Sequence, residues 1–217
     1  MWWTVLMLGC DLGGEPVAEP VAEPVPAAAF VCPATLDVLM TSLIPESPAE
    51  PLPPSPDDAL VCGERQGDRV PLHIVTSRYE ADGWLRLDDR DQVVELSAGG
   101  PTGAGHLRLA WEQGRVAVLA TLGGPTAQVH HYGYDEAGRL RSRALWFTMR
   151  GHPTLREVVD LDEQGRPVRR RAVSRDQLST IHTTWDGEVR TDSDPVVGPV
   201  DGLPGPPTQL AELVAVD

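Results

Sequence analysis

Tyr132-Gly133-Tyr134-Asp135-Glu136-Ala137-Gly138-Arg139-Leu140 reads as one strand, one tight turn and the start of the next strand. Asp135 suits the first position of a turn, where its carboxylate accepts backbone N–H groups. Gly138 suits the left-handed residue that closes a turn with a bulge. Tyr132 and Tyr134 share one face of the incoming strand, and Leu140 starts the outgoing one. Weaker copies stand at Tyr79–Leu85, Trp111–Val116, Leu161–Val168 and Trp185–Val189. Their glycines, Gly83, Gly114, Gly138, Gly165 and Gly187, are the expected repeat-turn residues. They lie 31, 24, 27 and 22 residues apart, a spacing that suits hairpin after hairpin.

Working outward, the texture from Val70 onward is strand-like alternation. Leu107, Leu109 and Trp111 share a face, as do Val116, Val118, Ala120 and Leu122, and Ile181, Thr183 and Trp185. The pattern predicts about ten strands between 70 and 191. Leu155–Leu161 fits strand or helix by pattern, and its place just before a repeat turn decides for strand. The fold class expected is mainly β: an antiparallel hairpin meander, a curved sheet or half-barrel, with one short N-terminal helix. That helix is placed in Ala34–Leu43, where residues 36, 39, 40 and 43 are apolar at helical spacing.

Tyr134-Asp135-x-x-Gly138-Arg139-Leu140 resembles the YD repeat of the RHS family. The resemblance covers residues 72–191, and only this copy matches well. It implies a β-hairpin array of the kind that builds curved sheets or shells in secreted and surface proteins. The long tandem array and any toxin domain are missing, so encapsulation is not implied. Acidic-x-Gly turns also occur in any antiparallel sheet, so a generic meander is the alternative.

The N-terminus adds a location. Met1–Gly9 is an uninterrupted apolar, signal-like segment too short to span a bilayer as a helix. Leu8-Gly9-Cys10 resembles the end of a bacterial lipobox, which implies lipidation at Cys10; Met7 departs from the usual leucine. Residues 10–31 then form an anchor and tether. Glu15–Pro24 repeats Glu-Pro-Val-Ala, and proline at every fourth position excludes helix and sheet and favours polyproline II. The chain has three cysteines. With Cys10 lipidated, Cys32 and Cys62 remain to form a disulfide around residues 32–62 in an oxidising envelope compartment. Residues 63–192 are the expected hairpin domain, and 193–217 a loose, acidic, Pro/Gly-rich tail in which Gln209–Val214 makes a short helical turn.

The net charge of −14 lies in the ends. Residues 1–62 hold nine acids and no base, and 186–217 hold seven acids and one Arg. Within 139–175, ten Arg stand against four acids. Arg139, Arg141, Arg143, Arg169 and Arg171 are the candidate anion-binding patch, for an anionic glycan, phosphate head groups or an acidic partner. The alternative is a strand face paired with neighbouring carboxylates. Alternation places Arg170 on the face opposite Arg169 and Arg171. His130 and His131 point to opposite faces and are poor co-ligands. No nucleophile elbow, phosphate loop or acid/base carboxylate couple is legible. No metal, cofactor or catalytic residue is therefore assigned, and nucleic acid is disfavoured. The reading is a cell-envelope lipoprotein, held to the membrane by its lipid. It would act as a non-catalytic binding or structural module for a glycan, lipid or envelope protein. The alternatives are a half-barrel carrier of an apolar ligand and an envelope hydrolase.

Overall fold

The computed structural model describes residues 30–45, 57–99, 105–150, 152–174 and 177–215. Cys10, the Glu-Pro-Val-Ala repeats and positions 100–104 of the glycine-rich loop lie outside them. The elements are α1 (Leu36–Leu43), β1 (Ala59–Cys62), β2 (Arg69–Val75), β3 (Glu80–Leu87), β4 (Val93–Ala98), β5 (Gly105–Glu112) and β6 (Arg115–Gly123). They continue with β7 (Thr126–Tyr134), β8 (Leu140–Met149), β9 (His152–Leu161), β10 (Pro167–Ser174), β11 (Gln177–Asp186), β12 (Val189–Asp192), β13 (Val196–Gly198) and α2 (Leu210–Leu213). One sheet runs in chain order from β1 to β12, with β13 paired to β11. It is an antiparallel meander, and it does not close into a barrel.

Three turns share one construction. Between β7 and β8, the Asp135 N–H donates to the Arg139 carbonyl at 3.0 Å and the Gly138 N–H to the Asp135 carbonyl at 2.8 Å. Asp135 Oδ1 accepts the Arg139 N–H at 2.9 Å, and Gly138 has φ +78°. Between β9 and β10, Asp162, Gly165 (φ +77°) and Arg166 repeat the arrangement. The third instance, between β3 and β4, uses no glycine. Asp88 opens it, Asp91 (φ +59°) takes the left-handed position, and Gln92 closes it. Aspartate is among the few side chains that tolerate this region. The β5–β6 turn has both Gln113 and Gly114 at positive φ, the type I′ hairpin. Gly187 holds the left-handed residue between β11 and β12.

Gly83 is the correction. It lies inside β3, opposite Leu72 on one side and Ala98 on the other. A Cβ at this position would fall on the Ser97 backbone carbonyl oxygen. The glycine answers a close approach within the sheet, not a turn.

The aromatic residues before the turns are tied backward. Trp111 Nε1 donates to the Val93 carbonyl, Tyr134 Oη to Val116 and Trp185 Nε1 to Pro167, each at 2.8 Å and each 18 residues upstream. Every acceptor stands at or next to the start of the strand that leaves the preceding turn. The Arg after that turn stacks on the same ring in two cases: Arg115 lies 5.9 Å from the Tyr134 centroid and Arg166 5.1 Å from that of Trp185. The repeat is therefore a contact between consecutive hairpins as well as a local turn. Leu161, which precedes the β9–β10 turn, has no group with which to make the bond.

The core lies on opposite faces of the two halves. In the first half, Val70, Leu72, Ile74, Leu85, Leu87, Leu96 and Leu109 face α1, whose Leu39 and Leu43 are buried against them. The Thr35 hydroxyl caps α1 by accepting the Val38 N–H at 3.3 Å. The Cys32–Cys62 disulfide, with Cα atoms 6.0 Å apart, staples this segment to β1. In the second half, Val118, Ala120, Val129, Ala144, Trp146 and Val158 face the other way, against Leu210 and Leu213 of α2. The C-terminal segment is thus not loose. Val196–Gly198 joins the sheet edge, and the chain crosses back over the second face to β5. There Arg108 Nη1 donates to the Ala215 carbonyl at 2.6 Å and Gln209 Nε2 to Glu112 at 2.7 Å. Its apolar residues are too few to show a period. The small side chains of Ala117, Ala120, Ala127 and Ala144 leave room for them.

Gly83→Ala and Gly165→Ala separate the two uses of glycine. Gly165→Ala has open space but a left-handed backbone, and should cost ~1 kcal/mol. Gly83→Ala meets backbone and should cost ~2–3 kcal/mol. Urea unfolding midpoints that rank the two in the reverse order would contradict this assignment.

Candidate functional site

The register divides the five-arginine patch. Arg143 and Arg170 both lie opposite Val159, so they share a face. Arg169 and Arg171 lie opposite Asp160 and Val158, on the other face. The expectation for Arg170 holds, and Arg143 joins it there. The five guanidinium groups are also paired. Arg139 and Arg141 both reach Asp135 Oδ2 at 2.9 Å. Arg143 reaches Glu157 at 3.0 Å, and Arg169 and Arg171 reach Asp160 at 2.5 and 3.4 Å. The Arg139 backbone N–H above all, and then the two guanidiniums, hold the Asp135 carboxyl down at about 2. These arginines neutralise neighbouring carboxylates across the strands and do not form one anion site.

A second charged cluster, not anticipated from the sequence, lies on the second face of the first half. Glu95 of β4 is only 6% exposed. It sits opposite Arg86 of β3 and Arg108 of β5. Arg86 Nε donates to it at 2.8 Å and Arg108 Nε at 2.9 Å, while His106 Nε2 lies 2.5 Å away. Burial raises the pKa of this carboxyl, but the hydrogen bonds from Arg86, Arg108 and His106 outweigh it and hold the group at about 2. Around the cluster, Arg69 lies 4.4 Å from the Trp84 centroid, and His73 sits between Glu80 (3.1 Å) and Asp82 (2.9 Å). Each side chain here already has its partner, so the cluster reads as sheet cement.

The first face of β7–β11 is different: Tyr132 ties its β7 edge into the core under α1, and Val159 and Thr183 are buried, but Leu145 and Phe147 are only half-buried and Arg156 is exposed. The β8–β9 ladder slips between Leu145 and Trp146, leaving Arg156 as the extra residue of β9. Its exposed guanidinium lies 5.7 Å from the Phe147 centroid and, among the described residues, meets no carboxylate. Gln128, Leu145, Trp146, Phe147 and Arg156 line a shallow cavity of about 190 Å³. Arg143, Arg170 and Glu157 flank it. On this face, His130 stacks on Tyr132 with centroids 6.2 Å apart. Burial, with Arg143 beside it, pushes its pKa down against an opposing effect of Glu157. The ring is therefore neutral at neutral pH. His131 points to the opposite face, as its position one residue along requires. Among the described residues, no group of three His, Cys, Asp or Glu is placed to hold a metal. Arg156 and Phe147 were missed because a bulge position is not encoded in the alternation of apolar residues.

No protein-family model matches the chain, and no curated protein is significantly similar to it.

Glu95 should govern acid stability. Its folded pKa lies below the unfolded value of ~4.3. Its contribution is complete above that value and is lost as pH falls through about 2. Glu95→Gln should cost ~3 kcal/mol at pH 7. In chemical denaturation, the gap from the parent protein should stay constant from pH 7 to 5 and shrink below pH 4. A gap that widens on acidification would refute the assignment.

Proposed function

We propose that this protein is a non-catalytic binding module of the cell envelope. Its ligand would be an acidic polysaccharide held on the first face of β7–β11. The observation that carries this is the pairing of Arg156, without a carboxylate partner among the described residues, with Phe147 beside a shallow cavity. A guanidinium binds a uronic carboxylate, and a flat ring stacks on the apolar face of a sugar. Around the cavity, Arg143 and Arg170 pair with Glu157, and Arg170 also lies near Asp192, so Arg156 is the cation on this face that meets no carboxylate among the described residues. The carrier reading has less support, because Leu39 and Leu43 of α1 occupy the apolar face that would take the ligand.

The envelope setting rests on Leu8-Gly9-Cys10 and on the Cys32–Cys62 disulfide, which favours an oxidising compartment. Descent from YD repeats is part of the same proposal. It is supported by the Asp135 and Asp162 turns and by the backward aromatic bonds.

Two measurements test these readings. Titration calorimetry with an oligogalacturonate should show binding that Phe147→Ala and Arg156→Ala each weaken about tenfold, or ~1.4 kcal/mol. Arg169→Ala, on the other face, should leave it unchanged. Equal effects of the three substitutions, or binding to polyglutamate but not to the glycan, would overturn the ligand assignment. For the location, mass spectrometry of the protein from its native membrane should find a diacylglyceryl group on Cys10 at a new N-terminus. A soluble form that retains Met1–Gly9 would contradict it.

A further inference from the structure

We infer that the same face has a ligand within the chain: the Glu-Pro-Val-Ala segment Glu15–Pro24 docks on β8–β10 and competes there with external anions. The inference rests on the binding face proposed above and adds an occupant to it. Three observations lead to it.

The first is charge. Residues 11–29 carry Asp11, Glu15, Glu19 and Glu23 and no base. The face carries Arg143, Arg156 and Arg170 against Glu157 and, near Arg170, Asp192. Opposite signs on one chain meet at high effective concentration.

The second is chemistry. A proline-rich segment favours polyproline II, whose ordering entropy is small. Such segments dock in shallow grooves lined by aromatic side chains. The depression beside Phe147 and Arg156 is a groove of this kind, with a cation at its rim.

The third is reach. The described chain begins at Phe30, which packs with the first-face core beside Cys62, Val70 and Leu87. Phe30 thus sits on the side of the sheet on which Phe147 and Arg156 lie. From β3, where Leu87 lies beside Phe30, to β8 is about 24 Å and to β9 about 29 Å at ~4.8 Å per strand. The eleven residues from Glu19 to Phe30 span about 34 Å at ~3.1 Å each. Glu15 and Glu19 can thus lie over β8–β10. A bound external polyanion would displace the segment and extend the tether.

The test uses the full chain, produced unlipidated with its disulfide formed, and a nitroxide on Cys10, the cysteine left outside the disulfide. Amide signals of Arg143, Phe147, Arg156 and Arg170 should broaden, while those of Arg86 and Glu95 should not. The triple variant Glu15→Arg, Glu19→Arg, Glu23→Arg should lose the broadening and bind oligogalacturonate at least fivefold more tightly than the parent. Absent broadening, with equal glycan affinity in the two proteins, would overturn the internal ligand and leave the glycan site standing. Broadening that the variant loses, with no glycan binding by either protein, would sustain the internal ligand and overturn the glycan site. Broadening that the charge reversal leaves intact would overturn the electrostatic docking.

Discussion

A single sheet has two faces, and among the described residues the two helices pack on opposite faces of its two halves. The crossover is β6. Val116, Ala117, Val118, Leu119 and Ala120 are all buried, whereas its neighbours alternate. Leu119 opposite Leu109 belongs to the core under α1; Ala120 opposite Arg108 belongs to the core under α2. A strand buried on both faces must be apolar, and that requirement selects the run Val116–Ala120. The two covers are held by different chemistry. Cys32–Cys62 fixes the first, and Arg108 fixes the second by donating to the carbonyls of the C-terminal segment. Arg108 is itself held by Glu95, so the docking of the C-terminal segment depends on a buried carboxylate of the neighbouring strand β4.

The crossover leaves two other surfaces, and they differ in how far their charges are satisfied. On the second face of the first half, Arg86, Glu95, Arg108 and His106 complete one another across adjacent strands. Such a ladder stabilises register and offers little to a ligand, because any anion must compete with Glu95. On the first face of the second half, the β-bulge removes Arg156 from the pairing pattern and sets it beside Phe147. The residue that breaks the ladder meets no carboxylate among the described residues.

The sheet was legible because hairpin turns have local chemistry. Asp135–Arg139 and Asp162–Arg166 form as their side chains dictate, and α1 follows from apolar spacing within a short loop. What was not legible depended on distant parts of the chain. Gly83 mimicked a turn glycine because Asp82 precedes it, while the true turn uses Asp91, whose tolerance of positive φ is rarely invoked from sequence. Arginine clustering along the chain suggested one patch. Register alone decides that Arg143 and Arg169 lie on opposite faces and that Glu157 and Asp160 stand between the strands to neutralise them. The C-terminal segment showed no pattern because Leu203, Leu210 and Leu213 answer a surface of alanines far back in the chain.

The repeat itself carries the same distinction between local and relational signals. Measured between turn glycines, the spacing is irregular, because the turns differ. Gln113-Gly114 is a two-residue loop, the Asp135 and Asp162 turns are longer, and the Asp88 turn has no glycine. Measured from the start of one outgoing strand to the next aromatic residue, it is constant: Val93 to Trp111, Val116 to Tyr134 and Pro167 to Trp185 are each 18 residues. The constant quantity is the combined length of two strands and the far turn, since only that length returns the ring to the carbonyl it must reach. The β8–β9 unit breaks the rule in length and residue together. Its strands run to ten residues each, and Leu161 has no donor to place. Selection for the inter-hairpin bond accounts for both facts. Where the bond is kept, the combined length of strand, turn and strand is fixed while single strands and turn types differ; where it is absent, the combined length is longer.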